Sequence, residues 1–167
     1  RGGRARIAVR DGALELPDVF EDPVLTLDRF DARARWTVAA GGRIDVVLDE
    51  AHVVNADAEG TATVRWHTAD PATSPARSRF PGVLDLSARL TRAEATRVHR
   101  YLPLTVPADV RHYLREATLA GRSPQVDFRI QGDLWDAPFA QGAATRGEFR
   151  IAAQLRDIDF DYVPPYL

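Results

Sequence analysis

The chain has 167 residues, of which 45% are apolar and 28% are charged, so it can bury one core and is neither a disordered polar chain nor a membrane-embedded one. Its formal net charge of −2 lacks the basic excess that binds phosphate backbones, and we expect no nucleic-acid partner. The absence of Cys excludes disulfides and thiolate sites. Because Met is absent even from position 1, we expect residues 1–167 to be a single segment of a longer protein.

Apolar and polar residues alternate along most of the chain. Successive side chains of a strand point to opposite faces, so the alternation predicts a mainly β fold, an antiparallel sheet with one apolar and one solvated face. Such an apolar face either packs as a core or lines a groove, and both readings fit the sequence. The residues that we expect on this face are Trp36, Val46, Leu48, Val64, Trp66, Leu84, Leu86, Phe128, Ile130, Phe149, Ile151, Ile158, Phe160 and Tyr162.

Turn residues separate the alternating runs. Hairpin turns are predicted at Asp11 and Gly12, at Gly41 and Gly42, and at residues 58–60, because these residues tolerate a positive φ. Residues 69–81 contain three Pro residues and several Ser and Thr residues, which predicts an exposed loop.

A two-helix insertion is predicted around residues 91–121. Thr91 and Glu94 have the spacing of a capping box, which predicts a helix that begins there. A second helix is predicted from Pro107 to a C-terminal Gly121. Its apolar stripe, together with that of the first helix, predicts docking on the apolar sheet face, with Arg side chains left outside. The stripe residues are Val98, Leu102, Val110, Tyr113, Leu114 and Ala117, and the outward residues are Arg97, Arg111 and Arg115.

Positive charge concentrates around this insertion, since residues 61–124 hold ten Arg and five acidic residues. These Arg residues either solvate the outer helix faces or contact an anion such as a lipid headgroup.

No motif for catalysis or metal binding stands out. The four His residues lack metal-ligand spacing, and Asp157, Asp159 and Asp161 lack the Gly and the distal Glu of a calcium loop. Nucleophile-elbow, P-loop and dinucleotide fingerprints are absent. We therefore expect a protein that is not an enzyme and that needs no metal or cofactor.

A series of short motifs follows a recognisable order along nearly the whole chain. In chain order they are Val19-Phe20-Glu21-x-Pro23, Trp36, Asn55-Ala56-Asp57-Ala58-x-Gly60, Arg100-Tyr101-Leu102-Pro103, Val110-Arg111-x-Tyr113-Leu114-x-x-Ala117 with Gly121, Gln131-Gly132-Asp133-Leu134, Pro138-Phe139, Phe149 and Tyr162-Val163-Pro164. Their order and spacing resemble the YhdP family of AsmA-like envelope proteins of Gram-negative bacteria.

The resemblance implies a periplasmic segment of a protein that is anchored in the inner membrane by another part of its chain. It also implies a curved, groove-like β-sheet whose apolar face carries phospholipid between the two membranes and maintains the outer-membrane barrier. The residues listed above for the apolar face would then face lipid. The expected partners are phospholipid, neighbouring segments of the same chain and, through the sheet edges, further copies of the segment. The alternative is a structural or interaction module of the envelope with a closed core and no lipid.

Overall fold

The computed structural model describes residues 1–104, 106–136 and 147–160, and of residues 119 and 158–160 it describes the backbone alone. The described residues form one sheet of seven strands. The strands are β1 (Gly2–Glu15), β2 (Val24–Val38), β3 (Ile44–Val54), β4 (Ala58–His67), β5 (Val83–Glu94), β6 (Thr118–Asp133) and β7 (Glu148–Phe160).

Each strand pairs antiparallel with the next along the chain, which gives the strand order β1 to β7 without crossovers. The sheet is open and curved, as the resemblance predicted, and β1 and β7 are its edges. Because every neighbouring pair is antiparallel, these two edge strands run in the same direction. The described connections gather at two ends of the sheet. We call the end with residues 39–43 and 68–82 the loop end, and the end with residues 16–23, 55–57 and 95–117 the helical end.

The turn predictions meet mixed outcomes. The turn at Gly41 and Gly42 is confirmed, and Gly42 has a φ of +76°. The turn at Asp11 and Gly12 is wrong, because β1 continues through both residues, with Asp11 at a φ of +50°. The turn predicted at residues 58–60 is also wrong, because these residues begin β4 and the reversal lies just before them.

The side chain of Asn55 makes that reversal. Its Oδ1 accepts hydrogen bonds from the backbone N–H of Asp57 (3.0 Å) and of Ala58 (2.8 Å). An Asn side chain that accepts hydrogen bonds from the backbone N–H groups two and three residues further on forms a turn without Gly. The prediction relied on Gly60 and therefore placed the turn too far along the chain.

The two-helix insertion is confirmed with narrower bounds, a 3₁₀ helix at Ala95–Tyr101 and an α-helix, α1, at Ala108–Ala117. The predicted capping box is wrong. Thr91 and Glu94 lie in β5, where Glu94 forms an ion pair with Arg122 of β6 at 3.2 Å. Pairing of β5 with the strands on both sides outweighs the local helix signal.

The predicted end of α1 is wrong as well. The helix stops at Ala117 because Thr118 already pairs with Phe160 of β7. Gly121 therefore lies inside β6, with a φ of +132°, and does not cap the helix. No helix in the described ranges has both the length and the apolar character needed to cross a membrane.

Candidate functional site

Strand register aligns apolar side chains into rows that cross the sheet, because residues that pair across neighbouring strands lie on the same face. One row crosses all seven strands, and it consists of Ala5, Ala34, Leu48, Val64, Leu86, Ile130 and Phe149.

Parallel rows flank it on both sides. Towards the loop end the row is Trp36, Val46, Trp66 and Leu84, and towards the helical end the rows are Ala51, Ala62, Ala88, Phe128 and Ile151, then Val53, Gly60, Leu90, Val126 and Ala153. We call these four rows the apolar face.

Most of the residues predicted for the apolar face lie together on it. The register brings together Trp36, Val46, Leu48, Val64, Trp66, Leu84, Leu86, Phe128, Ile130, Phe149 and Ile151. For Ile158 and Phe160 only the backbone in β7 is described, and Tyr162 lies outside the described residues. Whether these side chains contact lipid stays a prediction.

The apolar face is not packed as a closed core. Among the described residues no large side chain is less than 2% exposed, and the buried apolar residues are mostly Ala. Trp36 and Ile151 are 38% and 40% exposed, and the other predicted residues with described side chains are half-buried. Half-burial on a strand face means contact with neighbouring strands at the sides and open space above.

Small residues of the apolar face were missed by the sequence analysis, which looked for large side chains. Ala51 and Gly60 are buried there. A β-carbon at Gly60 would collide with the backbone of Arg89 and Leu90, so Gly is required where β4 approaches β5 this closely. The signal for them was present, because the alternation continues through Ala62 and Gly60.

At the loop end, residues 69–81 cover part of the apolar face. The rings of Trp66 and Phe80 stack with centroids 6.1 Å apart, and Trp66 Nε1 donates to the carbonyl oxygen of Pro81 at 2.9 Å. Ser74 Oγ donates to Asp133 Oδ2 at 2.6 Å, and Ser74 is buried. The predicted exposed loop is thus tied to the sheet at Ser74, and Trp66 already has a protein partner.

At the helical end, the insertion and the sheet form a partly open apolar cavity of about 460 Å³. Leu114 of α1 and Val98 of the 3₁₀ helix line it from one side, and Phe128, Ile151 and Leu155 line it from the sheet. The docking of Leu114 over the sheet agrees with the prediction. Val110, by contrast, is 42% exposed and lies outside the packed stripe.

A buried carboxylate holds the 3₁₀ helix to the β3–β4 turn. Asp57, 7% exposed, accepts hydrogen bonds at Oδ2 from Arg100 Nη1 (2.8 Å) and from the Tyr101 hydroxyl (2.9 Å). Tyr101 in turn accepts from Asn55 Nδ2 at 2.9 Å, and Arg100 Nη2 donates to Asp22 Oδ2 at 2.8 Å.

The surroundings of this network shift the pKa values of Tyr101 and Asp22. Burial raises the pKa of Tyr101, so its hydroxyl keeps the proton that it donates to Asp57. The hydrogen bond from Arg100 lowers the pKa of Asp22 and keeps that carboxylate charged. Charged and neutral donors thus converge on Asp57 and fix the orientation of the 3₁₀ helix.

Arg111 ties α1 to the β1–β2 connection, and the prediction that it faces outward is wrong. The residue is 8% exposed, and its Nη1 donates to the carbonyl oxygens of Leu104 (3.1 Å) and Val106. Its Nε lies 3.6 Å from Glu21 Oε2. The preceding backbone also joins the two regions, since Leu104 N–H donates to the carbonyl oxygen of Val19 at 2.9 Å. Several short motifs of the sequence, distant along the chain, therefore meet at the helical end.

The opposite face of the sheet is charged. Arg and acidic side chains of neighbouring strands pair across it, as in Arg35 with Asp49 (3.2 Å) and Arg89 with Asp127 (2.7 Å). Among the residues that the structure describes, no group of three or more potential ligands is placed to hold a metal ion.

Comparison with known proteins supplies one match. A family model described as YhdP protein matches residues 1–165, which is nearly the whole chain. Neither the curated proteins nor the solved structures contain a match.

Proposed function

Because this chain belongs to the YhdP protein family, we propose that it is a non-enzymatic section of a periplasmic, inner-membrane-anchored envelope protein, and that its apolar face holds the acyl chains of phospholipids moving between the two membranes. The observation that supports this proposal is the continuous, half-exposed apolar face on one side of the sheet and the charged face on the other. This combination favours a groove that is filled by a mobile apolar ligand over a structural module with a closed core.

The dimensions suit such a ligand. Six spacings separate the seven strands, so the row that crosses all of them spans about 29 Å from edge to edge. The hydrocarbon core of a bilayer is about 30 Å thick, and one acyl chain occupies roughly half of that. A lipid chain can therefore lie on the apolar face along a row, while the lipid headgroup stays in water at the edge of the sheet.

Site-specific photo-crosslinking in the full-length protein tests the proposal. A photoreactive residue at Phe128 or Ile151, which face the groove beside the helical end, should capture phospholipid. The matched controls are Arg129, which follows Phe128, and Arg150, which precedes Ile151. Both lie on the same strands as the groove positions and point to the charged face. Capture at the groove positions that does not exceed capture at the two Arg positions would exclude the lipid groove and favour the closed structural module.

A further inference from the structure

The outer edge of β1 carries two Arg residues that pair with no acidic residue in the described part of the chain. Arg4 and Arg6 form no ion pair or side-chain hydrogen bond within the described ranges, although Arg10 further along β1 pairs with Asp31 at 3.0 Å. Their cross-strand neighbours on β2, Arg35 and Arg33, pair with Asp49 and Glu50 of β3. These two carboxylates therefore already have Arg partners, and the charges of Arg4 and Arg6 on the outermost strand stay unpaired.

The backbone of the same two residues is also unpaired. Arg1 and Val38 exchange both backbone hydrogen bonds, at 2.9 Å from Arg1 N and 2.6 Å from Val38 N. In an antiparallel pair such exchanging residues alternate with residues whose N–H and C=O groups point away. At Arg4 and Arg6 these groups therefore point to the free side of β1, and no other strand in the described part of the chain pairs there.

The third feature of this edge is its apolar side. Ala5, Ile7 and Val9 alternate with the Arg residues and pair with Ala34, Ala32 and Phe30 of β2, of which Ala34 belongs to the apolar face. A strand added beside β1 would thus meet three features. In the plane of the sheet it would meet unpaired N–H and C=O groups of β1, on the charged face two guanidinium groups, and on the other face apolar side chains.

From these three features together we propose that the β1 edge binds an extended partner segment in which acidic and apolar residues alternate, added to the sheet as a further strand. If the partner segment pairs antiparallel with β1, two of its residues exchange backbone hydrogen bonds with Arg4 and Arg6 and lie directly opposite them on the charged face. These two partner residues are spaced i and i+2, and we expect each to be Asp or Glu. The residues between them are apolar and extend the apolar face by one strand. Main-chain bonds supply affinity, and the two ion pairs select the partner.

The opposite edge does not fit the same partner. On the charged face β7 presents Glu148 beside Arg150, which lie 3.2 Å apart as an ion pair. An acidic strand at β7 would meet a carboxylate where β1 offers a guanidinium, so the proposed partner distinguishes the two edges by charge.

Peptide binding to the 167-residue chain tests the proposal. The probe is a short synthetic peptide in which Glu alternates with Val, and the comparison peptide carries Lys in place of Glu. We expect the Glu peptide alone to bind, measured by fluorescence anisotropy at low salt. The double variant Arg4→Glu with Arg6→Glu should weaken its binding by about tenfold or more and should bind the Lys peptide instead. This exchange of preference also shows that the variant is folded.

Two further variants separate strand addition from general electrostatic attraction. Ala8→Pro removes an N–H that points to the free edge without removing a bond to β2, and it should weaken binding of the Glu peptide. Arg65→Glu, on the charged face of the central strand β4, is the matched control and should leave binding unchanged. The proposal would be overturned if Arg65→Glu weakened binding as much as the Arg4 and Arg6 changes do. It would also be overturned if Ala8→Pro had no effect on binding or if the Glu peptide failed to bind.

Discussion

The helical end and the apolar face are stabilised in opposite ways. At the helical end, buried polar groups such as Asp57 and Arg111 have specific partners. The hydrogen bond of Arg100 to Asp57 and the contact of Arg111 with Glu21 join segments that are far apart in the chain. On the apolar face, large side chains such as Trp36 and Ile151 stay more than a third exposed. The comparison shows that polar contacts fix the described chain at one end, while the large side chains of its apolar face stay partly exposed.

Removal of the Asp57 carboxylate should have the largest effect on stability. Asp57→Ala leaves Nη1 of Arg100 and the hydroxyl of Tyr101, both half-buried, without the acceptor that they share, and hydrogen bonds to a charged group contribute about 1.5–3 kcal/mol each. We expect the free energy of unfolding, measured by urea denaturation, to fall by about 3 kcal/mol. The control is Asp49→Ala, which removes an exposed ion pair with Arg35 and should cost less than about 1 kcal/mol. Equal losses in the two variants would show that the network at the helical end has no special role.

A pair of identical truncations compares a covered and an exposed leucine of the helical end, since Leu114 and Leu155 both line its cavity. Leu114→Ala removes a side chain that packs over the cavity at the helical end, and it should lower the free energy of unfolding by about 2 kcal/mol. Leu155→Ala removes the same atoms from a residue that is 61% exposed, so the loss should stay below about 1 kcal/mol. If Leu114→Ala left the unfolding midpoint unchanged, the insertion would be an arm independent of the sheet.

The smallest expected effect is a pH dependence at the helical end. Burial lowers the pKa of His99 below its ordinary value of 6.5, and nearby guanidinium groups such as that of Arg115 add to the shift. As the pH falls below 6.5, the unfolded chain binds more protons at this residue than the folded chain, so stability decreases.

His99→Gln should therefore make stability less dependent on pH between about pH 7.5 and about pH 5. His112→Gln, in which a half-exposed His side chain is replaced, is the control and should keep the dependence of the original chain. Urea denaturation at several pH values measures both. An unchanged slope in His99→Gln would show that protonation of this residue does not act on folding.

The alternation of residues was enough to predict the apolar face, because period two assigns each residue to a face without any knowledge of register. It was not enough to predict the rows, since the pairing of Leu48 with Val64 and of Val64 with Leu86 depends on where each turn begins. The Asn55 turn shows the difficulty, because a side chain performed the role that was expected of Gly.

The helical end was the least predictable region from local patterns. Arg111 looks like a solvated helix residue, and its burial follows from carbonyl groups that the preceding turn happens to point towards it. Likewise, Thr91 and Glu94 carry a helix signal that strand pairing overrides. Pairing between segments distant in sequence decides the case of Thr91 and Glu94. The case of Arg111 depends on the shape of the turn just before α1, which the residue pattern does not specify.

The shared direction of β1 and β7 restricts how such sheets can be joined into a longer one. A unit shifted sideways without rotation would meet its neighbour through a parallel pair, whereas an antiparallel joint between units with the same face up requires a half-turn about the sheet normal. That half-turn keeps the apolar faces on one side but sets the helical end of one unit beside the loop end of the next. It also joins like edges, β1 to β1 or β7 to β7. An array of this unit therefore has one of two forms: all units point the same way with parallel joints, or successive units point in opposite directions with antiparallel joints. In the second form, the Arg4 and Arg6 side chains of two units face each other at a β1–β1 joint, and their like charges disfavour it.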